Sequence, residues 1–207
     1  CFFISDDEYP SKDWMKEHMK THQENKNVAV VGFIEWYPKI KINEFMRFIA
    51  PYGPQFDFGF KDSNNCGYNA FIIGNITLEK SWFDEEMFNE TIGSAGVEDT
   101  EIGYRLEKKG LRIVFNPKAV VYHNHYQDEP SFIKRMYRVG NFWQKLNDLH
   151  QQEFKCTYAD LFKLVISRFY FLIPFKKLYW KFKCGFFYYL GRFDSYQGNG
   201  LIIKLVR

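Results

Sequence analysis

Over the first 125 residues apolar positions cluster in short continuous runs, and beyond them they recur at helical spacing. Cys1–Ile4 is an apolar run stopped by Ser5-Asp6-Asp7-Glu8, which predicts a buried strand ending in an acidic loop. Pro10 and Ser11 open a helix from Lys12 to about Gln23, with Trp14, Met15, His18 and Met19 on one face. Val28–Phe33 predicts a second buried strand, and residues 50–68, rich in Gly, Pro, Asn and Phe, a long surface loop. Ala70–Ile73 reads as a short strand ending in Gly74-Asn75, with a helical piece from Leu78. A glycine-bounded loop at residues 93–96 leads into a helix from near Val97 to Lys109, for which Gly110 is the expected C-cap. Leu111–Phe115 and Ala119–Tyr122 read as two strands split by an Asn116-Pro117 turn, with His123-Asn124-His125 just after. Pro130 to about His150 and Tyr158–Leu172 are helical in pattern. Strands alternating with helices over residues 1–125, followed by helices alone, predict an α/β layer fold with a helical C-terminal part.

The composition, 46% hydrophobic and 26% charged in 207 residues, fits a globular domain (residues 1–150) with a helical tail (151–207). A net charge of +3 gives no reason to expect a nucleic-acid partner. The four cysteines form no CxxC pair and no signal peptide opens the chain, so a cytoplasmic location is expected. Apolar stretches such as Phe169–Ile173 fall far short of the roughly 20 residues of a spanning helix. The opening Cys-Phe-Phe-Ile, without Met, reads as an interior strand and predicts that the chain is a fragment of a longer protein.

Three groups of residues have chemical potential. Asp6-Asp7-Glu8 would stand at the C-terminal end of a strand, where open α/β sheets bind ligands. Carboxylates on one short loop suit Mg²⁺ or Mn²⁺, and they equally suit a solvated turn ahead of a helix. Glu98 and Asp99 open the third predicted helix, where either carboxylate can act as a base if it faces a cleft. The plainer reading is an acidic helix N-terminus in which Glu101 and Arg105 pair at i,i+4. His123 and His125 are alternate residues and share one face, so both imidazoles can point the same way. Strand-end histidines with no ligand have the same pattern.

The order of these groups is more specific than any one of them. An aliphatic strand, an acidic cluster, Gly74-Asn75 and then GVEDTEIGYRLEKKGLRIVFNPKAVVYHNH (residues 96–125) together resemble glycosyltransferase family 2 from residue 1 to about 146. The resemblance implies a GT-A fold, here partial, with a Rossmann-like mixed sheet and flanking helices. It also implies an inverting, metal-dependent transfer of sugar from a nucleotide-sugar to a hydroxyl of a glycan or lipid-linked acceptor. Asp99 would be the general base, Glu98 its support, and Asp7 and His123 the ligands of Mn²⁺ or Mg²⁺. Asp6, Gly74 and Asn75 would lie beside the donor, Arg105 would make a supporting ion pair, and His125 would pack nearby. The first aspartate of the family's triplet is replaced by Ser5. Family members carry nucleotide-binding βα units ahead of the acidic loop, and this sequence shows none there. The expectation is therefore the acceptor- and metal-binding half of such an enzyme, the alternative being a non-catalytic acceptor-binding or scaffolding remnant.

Lysines interleave with aromatic residues in the tail: Phe169-Tyr170-Phe171, Phe175-Lys176-Lys177 and Tyr179-Trp180-Lys181-Phe182-Lys183. That mixture suits the inner face of a membrane, contacted peripherally through residues 158–193, and equally an aromatic helical pair packed within the protein.

Overall fold

The computed structural model describes residues 1–84, 86–92, 97–150 and 156–196; the predicted loop at residues 93–96 lies outside them. Five strands form one mixed sheet: β1 (Phe2–Ile4), β2 (Glu8–Pro10), β3 (Val28–Trp36), β4 (Asn75–Thr77) and β5 (Arg112–His123). The helices are α1 (Trp14–Glu24), α2 (Glu44–Ile49), α3 (Glu98–Lys108), α4 (Glu129–Leu149), α5 (Tyr158–Ser167) and α6 (Lys176–Tyr196). The strand order is β1-β4-β3-β5-β2, with β3 and β5 parallel and every other pair antiparallel. The fold is therefore mixed α/β, as the alternating pattern predicts.

Contacts divide the chain into two compact units, Cys1–Gly93 with Glu98–Tyr126, and Ser94–Val97 with Gln127–Arg207. The division falls ahead of α4, so that helix belongs with α5 and α6.

In the first unit, Ala29, Val31, Ile113 and Val121 of the parallel pair and Ile102 and Leu106 of α3 build one buried cluster around Phe71. These strands are buried, so their sequences run as near-continuous Val and Ile. Helix α3 ends in a Schellman arrangement: Leu111 N–H donates to the Leu106 carbonyl (2.9 Å), Gly110 N–H to that of Glu107 (2.9 Å), and Gly110 has φ 98°.

Several local expectations need correction. β1 is an edge strand whose Phe2 and Ile4 are exposed, because it has one neighbour and its apolar side chains are only partly covered. Helix α1 buries Trp14, His18 and Thr21, whereas Met15 and Met19 are exposed. Its inward face is set by polar partners on β4, described below. Gly74-Asn75 leads into β4 and does not close a strand; Tyr68–Ala70 is a 3₁₀ turn, and so is Lys80–Phe83. Residues 112–123 form one strand. Gly32 pairs with Asn116 and Phe33 with Val120, so Pro117–Ala119 are extra residues on β5. Pro117 has no N–H to give a ladder, which favours a bulge at this place. The loop over residues 50–68 is anchored inward by Phe58, which is buried, with Phe56 and Phe60 packed beside it.

In the second unit α4 and α6 pack side by side. Glu129 accepts from Trp180 Nε1 (2.9 Å) and from Lys183 Nζ (2.6 Å), and the Tyr137 hydroxyl donates to the Asp194 carboxylate. Trp180 and Cys184 are buried. Part of the aromatic and basic tail thus serves internal packing.

Candidate metal centre

The parallel strands β3 and β5 end side by side at Trp36 and His123. Residues Ser5–Asp7 carry the chain between the two edge strands, and β2 then enters antiparallel to β5 with Glu8 opposite His123. Asn124 N–H donates to the Asp7 carbonyl (2.8 Å), extending that pairing by one residue. The acidic turn is thereby fixed against the histidine pair, and both lie at the C-terminal end of the parallel strands.

One oxygen of the Asp7 carboxylate, Oδ2, is 3.3 Å from His123 Nε2 and 3.3 Å from His125 Nδ1. The ligand atoms of Asp7, His123 and His125 all lie within 4.8 Å of one another. The two imidazoles are stacked, with centroids 5.7 Å apart and planes 9° apart, as alternate residues leaving one strand face should be. His123 is buried, stacked on Trp36 (5.3 Å) with the Phe56 edge against it (5.7 Å). His125 and Asp7 are more open. Apolar packing thus orients one of the three side chains, leaving the other two accessible. One carboxylate and two imidazoles suit a divalent transition metal, Mn²⁺ among them, better than Mg²⁺, which favours an all-oxygen shell.

Glu8, part of the acidic cluster but given no role by the resemblance, is the buried acid of this region. Its Oε2 accepts from Ser5 N–H (3.2 Å), and its carboxylate lies against Gly74, where a Cβ would come within 2.7 Å of Oε1. Burial raises its carboxyl from 4.5 to about 7; the bond from Ser5 opposes this, and the negative charges of Asp7 and Asp99 add to it. Glu8 therefore feels both acids expected to do chemistry. Its placement follows from β2 pairing with β5, a long-range fact that an acidic run does not reveal.

Asp99 lies in the first turn of α3, half-buried, and its Oδ2 accepts from Ile73 N–H (3.0 Å). Glu98 precedes it, also half-buried. Asp6 is exposed on the turn. Arg105 holds the buried Glu101 through two bonds of 2.8 Å, and it also reaches Glu86 and the Met87 carbonyl. The expected i,i+4 pair is present.

Asn75 has a different place from the one expected beside a donor. It is wholly buried, and its Nδ2 donates to the carbonyls of Phe33 (3.0 Å) and Ala119 (2.8 Å). Its Oδ1 accepts from Trp14 Nε1 (2.7 Å) and from His18 Nε2 (2.9 Å). The amide's hydrogen-bonding capacity is used within the core. The spacing of Trp14, His18 and His22 on α1, together with alternate Asn75 and Thr77, is the sequence signal for this network.

No known family model matches the chain, and no curated protein matches it.

Proposed function

We propose that this chain carries the metal- and acceptor-binding part of an inverting glycosyltransferase of the family 2 type, acting on a nucleotide-sugar. The observation behind the reading is the convergence of Asp7, His123 and His125 at the end of the parallel strands, with Glu8 sensing both Asp7 and Asp99. Two separated acidic functions are what such a transfer requires: one beside the leaving diphosphate and one beside the attacking hydroxyl. Asp7, His123 and His125 would hold Mn²⁺. The cation would supply positive charge against the charge developing on the departing diphosphate.

Asp99, tethered through Oδ2 to the Ile73 N–H, is the residue assigned to take the proton of the acceptor hydroxyl. Glu98 flanks it, and the Arg105–Glu101 pair steadies the same helix. Gly74 allows Glu8 to fill the space between the acidic turn and the Ile73 tether. Trp36 and Phe56 exclude water from one side of His123 and fix its ring.

Mn²⁺ titration of the full chain, followed by the loss of the free-ion paramagnetic resonance signal, tests the metal assignment. Asp7→Ala and His123→Ala should each weaken binding by roughly tenfold or more, since ligand-orienting changes alone reach that range. Equal affinity in wild type and both variants would refute the site. Sugar transfer from nucleotide-sugar donors should be lost in Asp99→Asn with the Mn²⁺ affinity retained. A protein that binds Mn²⁺ but transfers nothing would turn the reading toward a non-catalytic acceptor-binding module.

A further inference from the structure

We infer that the apolar ridge formed by α5, the 168–172 turn and the start of α6 docks on the surface of an anionic lipid bilayer. Helix α5 is well specified: Thr157 and Asp160 form a capping box, with Thr157 N–H donating to Asp160 (3.0 Å) and Asp160 N–H to Thr157 (3.2 Å). It nevertheless exposes Leu161, Phe162, Val165 and Ile166, and the exposed apolar run continues through Phe169, Phe171, Leu172 and Phe175. Phe162 is 66% exposed, Phe171 64%, Leu172 68% and Phe175 72%. Scattered exposed apolar side chains are ordinary; a run of this kind within one segment marks an interaction surface.

The charges around the ridge identify the partner. Lys163, Arg168, Lys176, Lys177 and Lys181 are all exposed along the same stretch. The two carboxylates in residues 156–196 are both engaged: Asp160 pairs with Arg192 (3.3 Å), and the buried Asp194 accepts from the Tyr137 hydroxyl. An apolar ridge bordered by cations matches the acyl boundary and headgroups of an anionic membrane. A second copy of the same face would set like charges against each other, which disfavours self-association there. Among the described residues no helix is long and apolar enough to cross a membrane, so the segment would lie on the surface. Trp180 and Lys183, which also read as membrane residues in the sequence, are held by Glu129 and take no part in the surface.

Co-sedimentation of the full chain with phosphatidylcholine vesicles, with and without phosphatidylserine, tests this. Retention is expected on phosphatidylserine-containing vesicles, with weakening at high salt as the headgroup attraction is screened. The double variants Leu172→Glu/Phe175→Glu and Lys176→Glu/Lys177→Glu should each reduce binding by roughly tenfold or more. All four side chains are exposed, so circular dichroism should match wild type. Absence of retention on phosphatidylserine vesicles overturns the inference, and so does retention that neither variant changes. A wild-type dimer converted to monomer by Leu172→Glu/Phe175→Glu, with no lipid retention, would assign the ridge to self-association. The surface is independent of the metal chemistry, and Mn²⁺ binding read on the same preparations distinguishes failure of one from failure of the other.

Discussion

Two buried titratable side chains of the first unit have their ionisation displaced in opposite directions on the pH scale. Glu8 is pushed up to about 7, mainly by burial, and His18 down to about 4, also mainly by burial. Both shifts favour the neutral form. Between about pH 4.5 and 7 the folded state holds a proton on Glu8 that the unfolded chain has released, so this group's stabilisation is lost as pH rises through that window. His18 acts oppositely: the unfolded chain binds a proton that the folded state refuses, so stability falls as pH drops from about 6.5 toward 4. The two slopes offset each other where they overlap, which leaves the wild-type profile shallow. The difference between wild type and Glu8→Gln isolates the Glu8 contribution, because His18 is common to both. In metal-free buffer, urea midpoints should move in favour of Glu8→Gln as pH rises from 4.5 to 7, by up to about tenfold in the unfolding equilibrium per pH unit. A difference independent of pH across that range would show that Glu8 ionises normally.

At the level of elements, α1 is fastened to the sheet by polar contacts where its sequence advertised methionines. His18 Nδ1 lies 2.9 Å from Thr77 Oγ1, and His22 Nε2 lies 2.9 Å from the same hydroxyl. Because Asn75 Oδ1 only accepts, His18 carries its proton on Nε2, and Thr77 donates to Nδ1. The hydroxyl then accepts from His22. Asn75→Ala would leave two buried N–H groups and two buried carbonyls without this partner, at about 1–3 kcal/mol for each group left unsatisfied. A loss of about 3 kcal/mol or more is expected in chemical denaturation; a loss below about 1 kcal/mol would mean that water or relaxation replaces the amide. The same element shows what the sequence made legible. Period and residue type located α1, β3, α3 and the histidine pair, because those depend on local preference and burial. The inward face of α1 depended on β4, some fifty residues away, and so did the internal role of Asn75. The burial of Glu8 likewise follows from its pairing with β5. That Asp7 and His123 lie together was expected only from the order of the motifs along the chain, and the pairing of β2 with β5 is what brings them within reach.

For the whole molecule, the aromatic tail was legible as composition but not as surface, since composition cannot say which rings turn inward. Packing of α4 with α6 sorts them, and that packing depends on two glycines. A Cβ on Gly140 would stand 2.0 Å from the Tyr188 carbonyl oxygen, and one on Gly191 would stand 2.1 Å from that of Tyr137. Backbone meets backbone at both places, so no side chain can move aside to admit a methyl group. Gly140→Ala must therefore separate the helices and loosen the contacts of Trp180 and the Tyr137–Asp194 bond, at a cost of about 1–3 kcal/mol. Each unit has its own buried residues: Ile102, Leu106 and Ile113 in the first, and Phe132, Tyr137, Leu146 and Trp180 in the second. Local opening follows such clusters of contact. Hydrogen–deuterium exchange of Gly140→Ala should show faster exchange through α4 and α6, while β3 and β5 keep wild-type protection and Mn²⁺ binding at Asp7 and His123 is unchanged. Equal loss of protection through β3 and β5 would mean that the two units unfold as one, and that the proposed metal centre depends on the helices for its stability.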